Sequence, residues 1–178
     1  AGGEHVAFYY YELKIEERPT HAIYAYCPSQ CYKGESWKSI SFFQGKLVNE
    51  VQLALNNAGK PRLLIRTTSD IVPTGNDFYY AACDGDCIQA NQWTMTYLRG
   101  NGSTAPLEFK DDDLPQRTFA LDPAGNPRFL YLDGRNSSLG MFYNYCDSQC
   151  DQKTAWQQVR INKVIESPQY RDDNFYYP

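Results

Sequence analysis

"YAYCPSQCYKGESW", residues 24–37, places two cysteines four positions apart and a tryptophan six positions after the second. The same spacing returns in "YAACDGDCIQANQW" (80–93) and "YNYCDSQCDQKTAW" (143–156), and these three stretches use all six cysteines of the chain. A C-x3-C pair supplies two thiolates, whereas a structural zinc site takes four ligands. The two histidines, His5 and His21, have no partner at a ligand spacing. Zinc shared between distant pairs and free thiols are the competing readings. The adopted one is three local disulfides, Cys27–Cys31, Cys83–Cys87 and Cys146–Cys150, which imply an oxidising compartment.

A second motif alternates with the first. "LALNNAGKPRLLI" (53–65) and "FALDPAGNPRFLY" (119–131) align on Ala-Gly, and the opening "AGGEHVAF" matches their second half. Two linked motifs repeated in one order make the chain an internal repeat, with units at approximately 1–52, 53–118 and 119–178. Each unit reads as antiparallel strands. An apolar strand runs into a turn, Asn56-Asn57-Ala58-Gly59 or Asp122-Pro123-Ala124-Gly125, where Asn or Asp can bond the backbone and Gly can take positive φ. The second strand opens on Pro, where no ladder donor is lost. The third strand leads into the cysteine loop, and the fourth begins at the Trp. Alternation there (Ile40 and Phe42, Met95 and Tyr97, Val159 and Ile161) predicts a half-buried strand. "LVNEVQLALNNAG" carries a local helical period, but its counterpart contains Pro115 and Asp-Pro, so repeat logic selects strand.

The expected fold is all-β, as three consecutive four-stranded antiparallel units of β-propeller type. The first unit is expected to lack its own innermost strand. In this reading Trp37, Trp93 and Trp156 are structural anchors packed between sheets. Three units are too few to close a ring of the usual roughly 4–8 blades. Either these residues belong to a longer chain, the favoured expectation, or a protein partner or homo-oligomer completes the propeller.

With "LALNNAGKP" and "FALDPAGNP" followed by Y-x2-C-x3-C-x5-W, the chain resembles repeats of secreted and surface β-propeller proteins of environmental bacteria. The cysteine loop is also similar in placement to the Asp-box turn of sialidase-type propellers. It has Cys where that turn has Ser and Gly, and the sialidase arginine triad, Tyr/Glu pair and acid have no counterpart. The resemblance therefore implies architecture and a secreted, periplasmic or cell-surface location, without sialidase chemistry.

Composition narrows the partners. A formal charge of −4 and pI near 5.2 argue against a nucleic-acid surface. No apolar run is long enough to insert in a membrane. No G-x-S-x-G occurs, and the cysteines are better explained as staples, so no catalytic residues are assigned. His5 aligns with Arg62 and Arg128, three cationic or polar positions that could bind an anionic ligand. Asp111-Asp112-Asp113 and Asp172-Asp173 would suit calcium, although no calcium-loop pattern occurs and no metal ligand or cofactor is assigned. Asn101 and Asn136 fit glycosylation acceptors. Adjacent tyrosines on strands would place one set toward a groove, suiting protein recognition or sugar stacking. The leading expectation is a non-catalytic recognition or assembly module. A glycan-binding module comes second, and third is an enzyme whose catalytic residues lie elsewhere.

Overall fold

The structure is a computed structural model that describes residues 2–11, 20–42, 48–68, 76–98, 118–133 and 139–164. Asp111–Asp113, Asp172, Asp173, Asn101 and Asn136 lie outside them. Eleven strands form three antiparallel sheets, and the described residues contain no α-helix. The first sheet is β1 (Glu4–Tyr11), β2 (Thr20–Cys27) and β3 (Lys38–Phe42). The second is β4 (Val48–Leu55), β5 (Pro61–Thr68), β6 (Asn76–Cys83) and β7 (Trp93–Tyr97). The third is β8 (Phe119–Leu121), β9 (Pro127–Asp133), β10 (Leu139–Tyr145) and β11 (Gln157–Val164). Each sheet is a meander in which chain neighbours pair. The first has three strands among the described residues, and its β1 corresponds to β5 and β9. The stretch with a helical period is β4, and its pairing reaches back to Val48, beyond the motif start at Leu53.

The hairpin turns follow from their side chains. Asn56 Oδ1 accepts from the backbone N–H groups of Ala58 (3.0 Å) and Lys60 (2.9 Å), and Asp122 Oδ1 does the same for Ala124 and Asn126 at 2.9 Å. Gly59 at φ 72° and Gly125 at φ 85° occupy the left-handed region in which a Cβ is disfavoured. These small polar turns also line up across sheets: the Asn57 amide donates to Pro123 O at 2.8 Å.

Registers sort every strand residue onto one of two faces, since directly paired residues share a face. We call front the face that carries each first cysteine and its tryptophan, and back the opposite one. Leu63, Ala81 and Met95 align across the front of the second sheet, as do Cys83 and Trp93. Its back aligns Gln52, Leu64, Tyr80 and Thr96. The corresponding back rows are Ala7, Tyr24 and Ile40 in the first sheet and Leu130, Tyr143 and Val159 in the third.

The core is two seams between stacked sheets. In the first seam the front of the second sheet covers the back of the first. Leu63, Ile65, Ala81, Cys83 and Trp93 pack with Ala22, Tyr24 and Phe42. In the second seam the front of the third sheet covers the back of the second, joining Phe119 and Phe129 to Leu64 and Tyr80. The second sheet is thus covered on both faces. The alternating residues of a last strand share a face, but that face differs between sheets and is not always the covered one. Ile40 and Val159 are back residues, Met95 is a front residue, and Met95, Val159 and Ile161 are exposed. These strands lie at the sheet margin, where packing decides burial one residue at a time.

Candidate recognition surface

Each cysteine loop is closed by its own disulfide, Cys27–Cys31, Cys83–Cys87 and Cys146–Cys150, with Cα–Cα 5.7 Å in all three. Among the described residues no cysteine is free. After the second cysteine the chain makes a short 3-10 turn (Gly34–Ser36, Ala90–Gln92 or Lys153–Ala155) that returns it to the sheet. The tryptophan spacing then has a hydrogen-bond explanation. Each indole N–H donates to the carbonyl of the second cysteine of its own loop: Trp37 to Cys31 (2.9 Å), Trp93 to Cys87 (2.9 Å) and Trp156 to Cys150 (3.0 Å). A buried indole thereby satisfies its donor while its rings remain apolar.

Those rings seat on the sheet behind. Trp93 meets Tyr24 edge-on at 5.1 Å and Phe42 at 5.0 Å. Trp156 meets Tyr80 edge-on at 5.2 Å. Tyr24 and Tyr80, which open the first two cysteine motifs, are therefore the seats for the tryptophans of the units that follow. Burial pushes the Tyr24 and Tyr80 hydroxyls up to about 12. Trp37 has no such seat among the described residues and is half-buried. Tyr143 receives no tryptophan among them and stacks on Tyr145 at 5.6 Å.

His5, Arg62 and Arg128 occupy one register position, each opposite the residue before a first cysteine: Tyr26, Ala82 and Tyr145. They lie on three successive back faces, and their polar atoms are directed into the chain. Arg62 donates to Cys83 O (2.9 Å) and to Asp84 Oδ1 (2.6 Å). Arg128 donates to Cys146 O (2.9 Å), Asp147 Oδ1 (2.6 Å) and Asp122 Oδ2 (2.5 Å). The two arginines clamp the start of a cysteine loop. Hydrogen bonds from Asn126, more than the nearby Arg128 charge, hold the Asp122 carboxyl below its ordinary range. In the first unit Pro28 stands where Asp84 and Asp147 stand, and His5 replaces the arginine. His5 instead shares a 2.7 Å hydrogen bond with the Tyr24 hydroxyl, and burial, then the Lys60 charge, lowers its pKa. That paired change was legible in the sequence as an Arg–Asp co-occurrence within units.

His21 Nδ1 lies 3.0 Å from Ser41 Oγ, a contact not foreseen from sequence. Ser41 sits inside a paired strand opposite Ile23. A strand interior lacks the converging backbone N–H donors that acyl transfer uses to hold an oxyanion. Among the described residues no group of three or more His, Cys, Asp or Glu is placed to hold a metal, and no helix is long and apolar enough to cross a membrane. The three disulfides point to an oxidising environment.

Single apolar side chains are exposed at both ends of the stack, although on the front of the first sheet the central-strand residues His21, Ile23 and Ala25 are buried and Glu4, Ser39 and Ser41 are exposed beside them. On the front of the first sheet Val6 is 41% and Phe8 45% exposed; on the back of the third, Val159 is 49% exposed. Tyr32, directly after the second cysteine of the first loop, is 84% exposed. Compared with protein-family models, curated proteins and solved structures, the chain finds no match in any of the three.

Proposed function

We propose that this chain is a non-catalytic, secreted or surface-exposed recognition and assembly module, its three stapled sheets acting as blades of a β-propeller-type array that binds protein. One observation carries the reading. Val6 and Phe8 occupy the register positions of Leu63 and Ile65, which the first seam buries completely, yet in the first sheet they face outward. Apolar rows of this kind on a soluble fold mark contact surfaces. The cysteines, committed to disulfides, supply no thiolate nucleophile. Stacked rather than closed sheets, each contacting its chain neighbour, are what blades of a propeller would present.

The test is partner capture from the protein's own extracellular milieu, with wild type compared against Phe8→Asp and Val159→Asp. A defined partner retained by wild type and lost with either variant, at unchanged stability, supports the module. Capture of nothing by wild type, or capture indifferent to both variants, overturns it. The glycan-binding alternative rests on Tyr32, whose ring is outward with the Lys33 ammonium 5.8 Å from its centroid. An aromatic face beside a cation suits an anionic sugar. Glycan-array binding abolished by Tyr32→Ala would favour that reading over the first.

A further inference from the structure

The two outward faces are not equivalent: one is a front and the other a back, the two halves of the seam that the chain already makes twice. We infer that the front of the first sheet docks on the back of the third sheet of a second copy, seating Trp37 against Tyr143 as Trp93 seats on Tyr24 and Trp156 on Tyr80. The inference rests on the recognition-and-assembly reading and names the partner.

Position by position the chemistry agrees. On the front, Val6 and Phe8 correspond to Leu63 and Ile65 and to Phe129 and Tyr131, apolar or aromatic in every unit. Leu63 and Ile65 are fully buried and Phe129 is 3% exposed, whereas Val6 and Phe8, on the outer strand, keep 41% and 45% of their surface exposed although Ala25 and Ile23 opposite them on the same face are buried. On the back, Leu130, Tyr143 and Val159 repeat the row Ala7, Tyr24 and Ile40, where Tyr24 is 1% exposed beneath Trp93. Trp37 already holds its loop bond to Cys31, so the indole is oriented for a seat before any partner arrives. An unrelated protein would have to supply either a tryptophan-bearing front or a tyrosine-bearing back. A second copy carries both. Continuing the seam across copies is a front-to-back contact, which closes into a ring when the rotation permits and otherwise propagates. Two copies would bring six sheets together, within the roughly 4–8 blades of closed propellers.

Sedimentation of the 178-residue chain under non-reducing conditions, across micromolar concentrations, tests the contact. The expected species has twice the 20.5 kDa chain mass. Phe8→Asp damages only fronts and Val159→Asp only backs, and both residues are outward, so the fold of each variant should survive, as unchanged Trp93 emission would verify. Each variant alone should be monomeric. An equimolar mixture should regain association, because an intact Val159→Asp front can meet an intact Phe8→Asp back. Self-association in Val159→Asp alone would mean that fronts pair with fronts, and it overturns the inference. Wild type that is monomeric throughout overturns it too, with the outward faces then covered by another protein or by residues 165–178 of the chain itself. In that case partner capture still decides the broader reading independently.

Discussion

The two seams join equivalent faces by different chemistry. The first is mainly apolar, with one buried hydrogen bond across it from the Val48 N–H to Thr20 Oγ1: Trp93 is 9% exposed, held between Tyr24 and Phe42 over Ala22 and Ile65. The second is part polar. Thr96 replaces Ile40 in the back row and donates to Cys150 O (3.2 Å) and Asp151 O (2.9 Å) of the third loop. Gln52 reaches across to Thr118 Oγ1 (2.8 Å) and accepts from the Phe119 N–H at 2.9 Å. Trp156 is only half-buried. What persists is the tryptophan on the tyrosine, with its indole N–H tied to a cysteine carbonyl. The surroundings can trade methyl groups for hydrogen bonds because either satisfies a closed interface, provided no buried polar group is left unpaired.

The largest test of this contrast is truncation of the anchors. Trp93→Ala should cost about 3–5 kcal/mol in denaturant unfolding, the range for emptying a well-packed aromatic site. Trp156→Ala should cost roughly 2 kcal/mol, in line with its smaller burial. Equal losses would show that the seams are energetically alike and break the comparison. Next, replacing both Cys83 and Cys87 by Ser should cost about 2 kcal/mol, as expected for a small closed ring. The Cys146 and Cys150 double variant should cost a similar amount, since the loop geometry is shared. Smaller again, Thr96→Val should lose about 1 kcal/mol by leaving Asp151 O without its donor. Hydrogen exchange should localise that loss to the second seam. If protection changes equally in the first, the seams are not separable units.

The smallest expected effect is a pH dependence confined to the first seam. His5 stands there at the position Arg62 holds in the second. Its folded-state pKa lies below the ordinary 6.5, first through burial and then through Lys60. The unfolded chain therefore binds the proton more readily. The contribution is present above about pH 6.5 and fades as pH falls from there through the lowered value. Exchange protection of β1 and β2 should decline on mild acidification while that of β8 and β9 holds, and His5→Gln should remove the difference. A uniform response across the three sheets would contradict it.

How much of this the sequence discloses depends on the range of the interaction. The turns at Asn56–Gly59 and Asp122–Gly125, the three staples and the strand order are set by side chains a few residues apart, and the repeat multiplies each signal. Rejection of the helix at β4 needed only its counterpart with Pro115. The seams are set by contacts between units, and alternation shows that a strand has two faces without saying which is covered. Met95 and Val159 illustrate this, since both sit in alternating strands, on opposite faces, and both are exposed. The cations at positions 5, 62 and 128 were visible as a row. The Arg–Asp co-occurrence hints at the pairing of Arg62 with Asp84 and Arg128 with Asp147. The bonds of these arginines to cysteine carbonyls and of His5 to Tyr24 were not visible, because the sequence does not show where a side chain points.

The indole-to-cysteine hydrogen bond has an optical consequence. Each staple has a chromophore wired to its own loop, so breaking one disulfide should alter the emission of one tryptophan and leave the other two largely as they were. With Trp93 enclosed, and Trp37 and Trp156 nearer water, the three signals differ in colour and in access to quenchers. The molecule thus carries its own label-free gauge of which loop has opened, and in what order.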